Sequence, residues 1–317
     1  MRFCLMLEGQ EDITWERWLA VAGAAERLGF EGLFTSDHYL SVQGVRERGS
    51  NDAWTILAGL AARTERLRLG TLVSPVTFRH PALLAKIATT VDHISGGRVE
   101  IGMGAGWWED EHRAYGFPFP SPPERFDLLE EQVEIVHGLF TQERFSFPGS
   151  RYALEDCRFL HAPIQRPHPP LILGGRVVGP RMRRLVARFA DEFNTVGGTP
   201  EEVRARFERV RAGLREAGRD PAEVTTSFMT WFYVGRDEAE WRERVERARR
   251  NDPAAGSFDE YLAQISRDCL VGTPEEVVRR LREYEAVGVQ RVYLNHELVD
   301  DPEHLELVAR EVLPAMA

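Results

Sequence analysis

The chain has 317 residues and a formal net charge of −10, with 43% hydrophobic and 28% charged residues. That length fits one large α/β barrel or two ordinary domains, and the composition is that of a globular protein with a sizeable core. The acidic balance and the scatter of basic residues argue against a nucleic-acid surface, and no apolar run approaches the ~20 residues a membrane helix needs.

The opening Met1-Arg2-Phe3-Cys4-Leu5 enters a strand-like run too short for a signal peptide, so a cytoplasmic protein is expected. Eight short β-like runs then alternate with helical patterns. The strands fall at Phe3–Leu7, Leu33–Ser36, Arg68–Leu72, Val99–Met103, Leu171–Leu173, Glu192–Thr195, Thr226–Val234 and Arg291–Leu294. Several are near-continuous apolar runs, as parallel strands buried on both faces require. Helices begin near Trp15, Trp54, Ala82, Phe126, Arg181, Pro200, Ala239 and Pro274, with a ninth near Glu303. Thr14 starts the first and Gly29 ends it. Thr199-Pro200-Glu201-Glu202 and Thr273-Pro274-Glu275-Glu276 are two copies of one helix start: a capping threonine, proline in the first turn and a capping-box glutamate. This syntax of capped helix, glycine and strand predicts a single (β/α)8 TIM barrel over residues 1–317. Two insertions interrupt it. One follows strand 4, with a hairpin at Phe145–Phe147 and Tyr152–Leu154; the other follows strand 7, over residues 251–272, as a lid or a disordered connection.

Cys4, Cys157 and Cys269 are odd in number and lack C-x-x-C spacing, so free, mostly buried thiols are expected, without a disulfide framework. No metal site is indicated. The run Arg242–Arg250, interleaved with Glu243 and Glu246, reads as a solvated helix face.

Active sites of such barrels gather at the C-terminal ends of the strands. Gly102-Met103-Gly104-Ala105-Gly106 ends strand 4, and Leu171–Leu173 then Gly174-Gly175 repeats the design on strand 5. Glycine admits close approach and positive φ, so one ligand lying across neighbouring strand ends is expected. Asp37-His38 is the best acid–base pair, because histidine exchanges a proton near neutrality; the plain alternative is a capping aspartate and a packing histidine. His80 before Pro81 reads as a helix cap. Glu111 and His112 lie at a helix start, where exposure or capping is the simpler role. Trp107 and Trp108 would wall an aromatic ligand or pack in the core. Arg176, beside the second glycine pair, suits an anion. Lys86, the one lysine, lies within a helical pattern and is a poor Schiff-base candidate.

The ordered set Ser36-Asp37-His38, Leu69–Val73, Thr77–Pro81, Ser95–Arg98 and Gly102–Trp107 resembles the luciferase-like monooxygenase superfamily. Glu111–Pro118, Arg125-Phe126, Pro169–Gly175 and Ala190–Asn194 look like its branch dependent on the deazaflavin coenzyme F420. The resemblance implies an F420-dependent oxidoreductase that transfers a hydride between the deazaflavin and a small organic substrate. Asp37 then matches an aspartate that contacts the deazaflavin, and His38 a histidine proposed as acid–base residue. Leu72–Val73 matches a non-prolyl cis peptide against the ring. Ala105, Gly106, Gly174 and Gly175 match backbone positions along ring, ribityl chain and phosphate. Trp107 stands where sugar-phosphate dehydrogenases of the branch carry a catalytic glutamate, which argues against glucose 6-phosphate. Glu111 and Glu8 are the other carboxylates on which proton chemistry would fall, and Glu8 and Trp107 are the substrate-pocket candidates. A homodimer is implied by the habit of such relatives. Two readings compete: an FMN-dependent two-component monooxygenase of the same fold, and a barrel that binds deazaflavin without turnover.

Overall fold

The computed structural model describes the whole chain, residues 1–317. Its first half comprises β1 (Arg2–Leu7), α1 (Trp15–Leu28), β2 (Gly32–Thr35), α2 (Ala53–Ala61), β3 (Arg68–Pro75), α3 (Pro81–Ser95) and β4 (Val99–Gly104). Helices α4 (Glu109–Tyr115) and α5 (Pro122–Thr141) follow, then the hairpin strands β5 (Arg144–Pro148) and β6 (Ala153–Arg158). The second half runs β7 (Leu171–Gly174), α6 (Pro180–Phe189), β8 (Glu192–Val196), α7 (Pro200–Glu216), β9 (Thr225–Val234), α8 (Glu238–Asn251) and α9 (Phe258–Asp268). It closes with β10 (Leu270–Gly272), α10 (Pro274–Ala286), β11 (Arg291–Asn295) and α11 (Pro302–Leu307). Strands β1, β2, β3, β4, β7, β8, β9 and β11 pair in parallel, and the β8–β9 pairing closes the ring into the expected barrel. No helix is long and apolar enough to cross a membrane.

Local sequence chemistry sets these elements. Thr14 caps α1 through its side chain, Gly29 ends it at φ 84°, and Thr199 and Thr273 form capping boxes with Glu202 and Glu276. Such a cap is worth about 1 kcal/mol. Helix α5 starts at Pro122, earlier than the expected Phe126, because Glu124 accepts from both the backbone N–H and the hydroxyl of Ser121. The segment 251–272 is an ordered part of the fold and not a disordered connection. It forms α9, capped by Ser257, and β10, which extends the sheet beside β9. A second correction concerns the Arg242–Arg250 face: Arg244 is buried and donates to Asp301 at 3.0 Å and to the Val234 carbonyl at 2.6 Å.

The two ends of the barrel carry different chemistry. At the N-terminal end the interior is closed by Arg291, which reaches Glu100 at 2.6 Å, Glu192 at 2.9 Å and Glu31 at 2.9 Å. Tyr293 donates to Glu192 at 2.6 Å. Above this layer Met6, Phe34, Leu72, Ile172 and Tyr293 fill the interior. A second set of polar side chains collects at the opposite end.

Candidate active site

His38 leaves the C-terminal end of β2 and meets Glu111 of α4, with Nδ1 at 2.8 Å from Oε1. The second carboxylate oxygen accepts from the Tyr39 backbone at 3.1 Å. Glu111 is 1% exposed and His38 16%, so the carboxylate is fixed beneath an imidazole that still reaches the surface of the site. A carboxylate accepts but does not donate, so Nδ1 carries the proton and Nε2 is left without a protein partner. Burial opposes the imidazolium, but the Glu111 hydrogen bond and charge, with Glu8 and Asp37 behind them, hold His38 above its ordinary value of 6.5. The simpler expectation for Glu111 and His112, exposure or capping, is overturned because both side chains are buried. His112 is structural: Nδ1 donates to the Trp108 carbonyl at 2.6 Å, so Nε2 accepts from the Thr77 hydroxyl at 2.6 Å. The stacked rings of Trp107 and Trp108 stand edge-on to His38, with centroids at 5.8 and 6.1 Å. Trp107 is 64% exposed and therefore walls the site and does not belong to the core.

Asp37 is held by a network of the protein's own groups. Its carboxylate accepts from Arg79 at 2.5 and 3.2 Å and from the Ser74 hydroxyl at 2.7 Å, and Trp54 donates to that hydroxyl at 2.9 Å. The side chain is fully buried and braces the rim through Arg79. Burial raises its pKa against the pull of Arg79 and Ser74. Arg79 also binds Asp52 at 2.5 Å, which makes it the brace between β2, β3 and α2. Its position next to His80 gave no hint of this. His80 itself caps α3, accepting from the Ala82 backbone.

The glycines divide into two kinds. A Cβ on Gly102 would sit 2.1 Å from the Thr71 carbonyl oxygen, and one on Gly104 would sit 2.5 Å from Val73 Cγ2. Those two leave room for β3 where it bulges and where the Leu72–Val73 peptide is cis, the geometry the resemblance implied. Their smallness serves the neighbouring strand, a correction to the reading that all three alternating glycines face a ligand. Gly174 likewise leaves room for the Asn194 carbonyl on β8. Gly106 adopts φ 75°, which turns the chain from Ala105 toward Trp107. Only Gly175 opens onto free space: a Cβ there meets nothing closer than 3.9 Å. Beside it Arg176 donates to the Val196 carbonyl at 3.0 Å, and Arg206, which the sequence did not single out, donates to the Gly197 carbonyl at 2.6 Å. Burial and the charge of Arg176 lower the pKa of Arg206. Two cations at a glycine-lined strand end, one penalised by the other, suit a phosphate. Gly175→Ala is expected to cost about 1 kcal/mol through its φ of 158°. It should also weaken binding of a phosphate-bearing cofactor by roughly tenfold or more. Thermal melts and isothermal titration separate the two effects, and unchanged affinity would place the cradle elsewhere.

On the other side of the rim, a cavity of about 320 Å³ lies between the ends of β1, β9 and β11, with Glu8, Glu11, Trp231, His296 and Glu297 among its walls. Glu8 accepts from Asn295 at 2.7 Å and from Gln10 at 2.8 Å. Glu297 accepts from the Tyr233 hydroxyl. Burial pushes Glu297 up to about 7, the charges of Glu8, Asp252 and Glu11 adding to it and the Tyr233 hydrogen bond opposing. A carboxyl raised from 4.5 to about 7 favours the folded state while protonated. That contribution is lost as pH rises from the lower value through the upper, on the order of 3 kcal/mol. Glu297→Gln should therefore gain stability over the wild type as melts are moved from acid to alkaline pH. A gap that does not change with pH would contradict this.

Arg79, Glu111 with His38, the glycine-lined strand ends and the acidic cavity all lie at the C-terminal ends of parallel strands, so Asp37, Gly106 and Gly175 share one face of the barrel. A family profile described as luciferase-like monooxygenase matches residues 1–291. The chain belongs to the luciferase-like monooxygenase family and is an enzyme of that class. Among similar proteins, the FMNH(2)-dependent dimethylsulfone monooxygenase of Pseudomonas putida is 29% identical over 96% of this chain and 88% of its own length. The F420-dependent glucose-6-phosphate dehydrogenase of Microbacterium testaceum is 28% identical over 92% of this chain and 90% of its own. A monooxygenase from Streptomyces bottropensis superposes with a TM-score of 0.85 at 27% identity, covering 100% of both chains. An F420-dependent secondary alcohol dehydrogenase, solved with an F420-acetone adduct, gives a TM-score of 0.83 at 21% identity, covering 100% of this chain and 99% of its own.

Proposed function

We propose that this enzyme is an oxidoreductase that binds coenzyme F420 across the ends of β4 and β7 and exchanges a hydride with a small organic substrate. The observation that carries the proposal is the His38–Glu111 pair, 2.8 Å apart and set beside Trp107 and Trp108 with Nε2 unpartnered. The residues fit such a cofactor: open space beside Gly175 and two arginines flanking the glycines at a strand end. A deazaflavin held there supplies two-electron hydride chemistry at its carbon 5. The protein's share is to bind, orient and manage the proton. Glu111 fixes the tautomer and direction of His38, so that Nε2 takes or gives the proton that accompanies the hydride. Trp107 and Trp108 shield that imidazole from water on one side.

F420-dependent relatives and the Glu111–Pro118 segment support the deazaflavin, whereas the dimethylsulfone monooxygenase relative supports a second reading with reduced FMN and oxygen. The two readings share the cradle and differ in what turnover requires. Following F420 absorbance with a panel of alcohols, imines and activated alkenes under exclusion of oxygen is the test. Turnover there is expected; turnover that needs FMN, a reductase and oxygen would favour the second reading.

A further inference from the structure

Of the carboxylates around the 320 Å³ cavity, Glu11 is paired with Arg48 at 2.5 Å and Asp300 with Arg17 at 2.9 Å. Glu8, Glu297 and Asp12 have no cationic partner in the protein; Asp12 accepts from the Gly49 backbone at 3.2 Å, and amide and phenol donors are all that Glu8 and Glu297 receive. Trp231 gives the cavity an aromatic wall, and Ile13, Val42 and Val299 give it apolar surface. His296 also lines it, 1% exposed, with neither ring nitrogen hydrogen-bonded. A buried imidazole without a donor or acceptor is expensive, and its presence at the wall of a cavity points to a polar group that arrives from outside.

We infer that this cavity is the substrate side of the site and that it takes a small organic cation, a protonated amine on an apolar body. The inference rests on the proposed oxidoreductase function only for the word substrate; the binding chemistry stands on the cavity itself. Two carboxylates without a counter-charge repel each other in a partly dry space, and a cation between them removes the repulsion. Without such a cation Glu297 holds a proton instead: burial, with the charge of Glu8 added, pushes it up to about 7. An ammonium group would displace that proton and rest near the face of Trp231, where a cation is favoured. Its apolar body would lie on Ile13, Val42 and Val299. His296, whose pKa burial drives down to about 3, stays neutral and offers one donor and one acceptor to a further polar atom. An anionic substrate finds the reverse, since the two arginines at the wall are already engaged. The size lies at the lower end of ligand pockets, roughly 300–1,000 Å³.

Three probes of one shape decide this: benzylamine, benzyl alcohol and benzoate, titrated calorimetrically into the protein near neutral pH in two buffers of different ionisation enthalpy. Benzylamine is expected to bind at least roughly tenfold more tightly than benzyl alcohol, and benzoate not at all. Binding of the amine should release on the order of half a proton per site, lost by Glu297. In Glu297→Gln both the preference and the proton release should disappear while F420 or FMN still binds. Equal affinity for amine and alcohol, binding of benzoate, or proton release that persists in the variant would overturn the inference. If Glu297→Gln does not fold, the wild-type series alone decides. Cofactor binding without amine binding would sink this inference and leave the proposed function standing; amine binding without either cofactor would do the opposite.

Discussion

His38→Ala is expected to lower turnover by about 10²–10⁴-fold, the usual worth of a positioned general acid or base. Cofactor affinity should change little, because the cradle is built from Ala105, Gly106, Gly175 and the arginines near them. The imidazole's work depends on Glu111, whose Oε1 takes Nδ1–H at 2.8 Å and leaves Nε2 as the one nitrogen free to exchange a proton. Glu111→Gln should therefore reproduce part of the loss and also shift the pH profile. The neighbouring carboxylate holds His38 above its ordinary 6.5. A group raised on folding contributes stability that is complete below its unfolded value and is lost as pH rises through the folded one. In Glu111→Gln the histidine limb of the turnover profile should move to lower pH, and the variant should lose most stability, relative to wild type, on the acid side. Near-wild-type turnover of correctly folded His38→Ala would reduce His38 to packing and pass the proton to Glu111, Glu8 or the substrate.

The second large effect is expected at the closed end of the barrel. Arg291 is 1% exposed and is shared by Glu100 and Glu192, both buried. Burial opposes the charge of Glu100, yet Arg291 and Arg68 together hold it below the ordinary carboxylate range. Arg291→Leu would leave Glu192 with only the hydroxyls of Ser227 and Tyr293 and take from Glu100 the stronger of its partners. Removing one member of a buried ion pair costs about 3–5 kcal/mol, because the other is left uncompensated. Urea denaturation should show a loss of that size at neutral pH, shrinking in acid as the carboxylates take up protons. A change below roughly 1 kcal/mol would mean that the network is neutral to folding, as exposed pairs are.

How much of this could be read from the chain depends on whether the cause is local. Strands such as β1 and β11 announce themselves as apolar runs, and Thr199 and Thr273 mark their helices because cap and glutamate lie within one turn. Pro122-Pro123 hid the start of α5, since prolines read as loop unless the preceding serine is recognised as the cap. Helix α4 was legible as a helix start, but the burial of Glu111 and His112 was not, because their partners, His38 and Thr77, lie far away in sequence. The glycines of β4 were legible as a close approach, but only the structure shows that Gly102 and Gly104 meet Thr71 and Val73. The acidic cavity is a product of barrel closure: Glu8 and Glu297 stand near opposite ends of the chain, and the β1–β11 pairing makes them neighbours. Asp37 and His38 were found because barrels place chemistry at strand ends, yet adjacency in sequence concealed that one side chain goes down to Arg79 and the other out to Glu111.

The most direct measurement is a side-by-side isothermal titration of the purified enzyme with F420 and with FMN, in oxidised and reduced forms. F420 is expected to bind the more tightly, with Gly175→Ala weakening it and His38→Ala leaving it nearly unchanged. Tighter binding of reduced FMN, accompanied by oxygen-dependent turnover, would contradict the deazaflavin assignment and return the enzyme to the monooxygenases of its family.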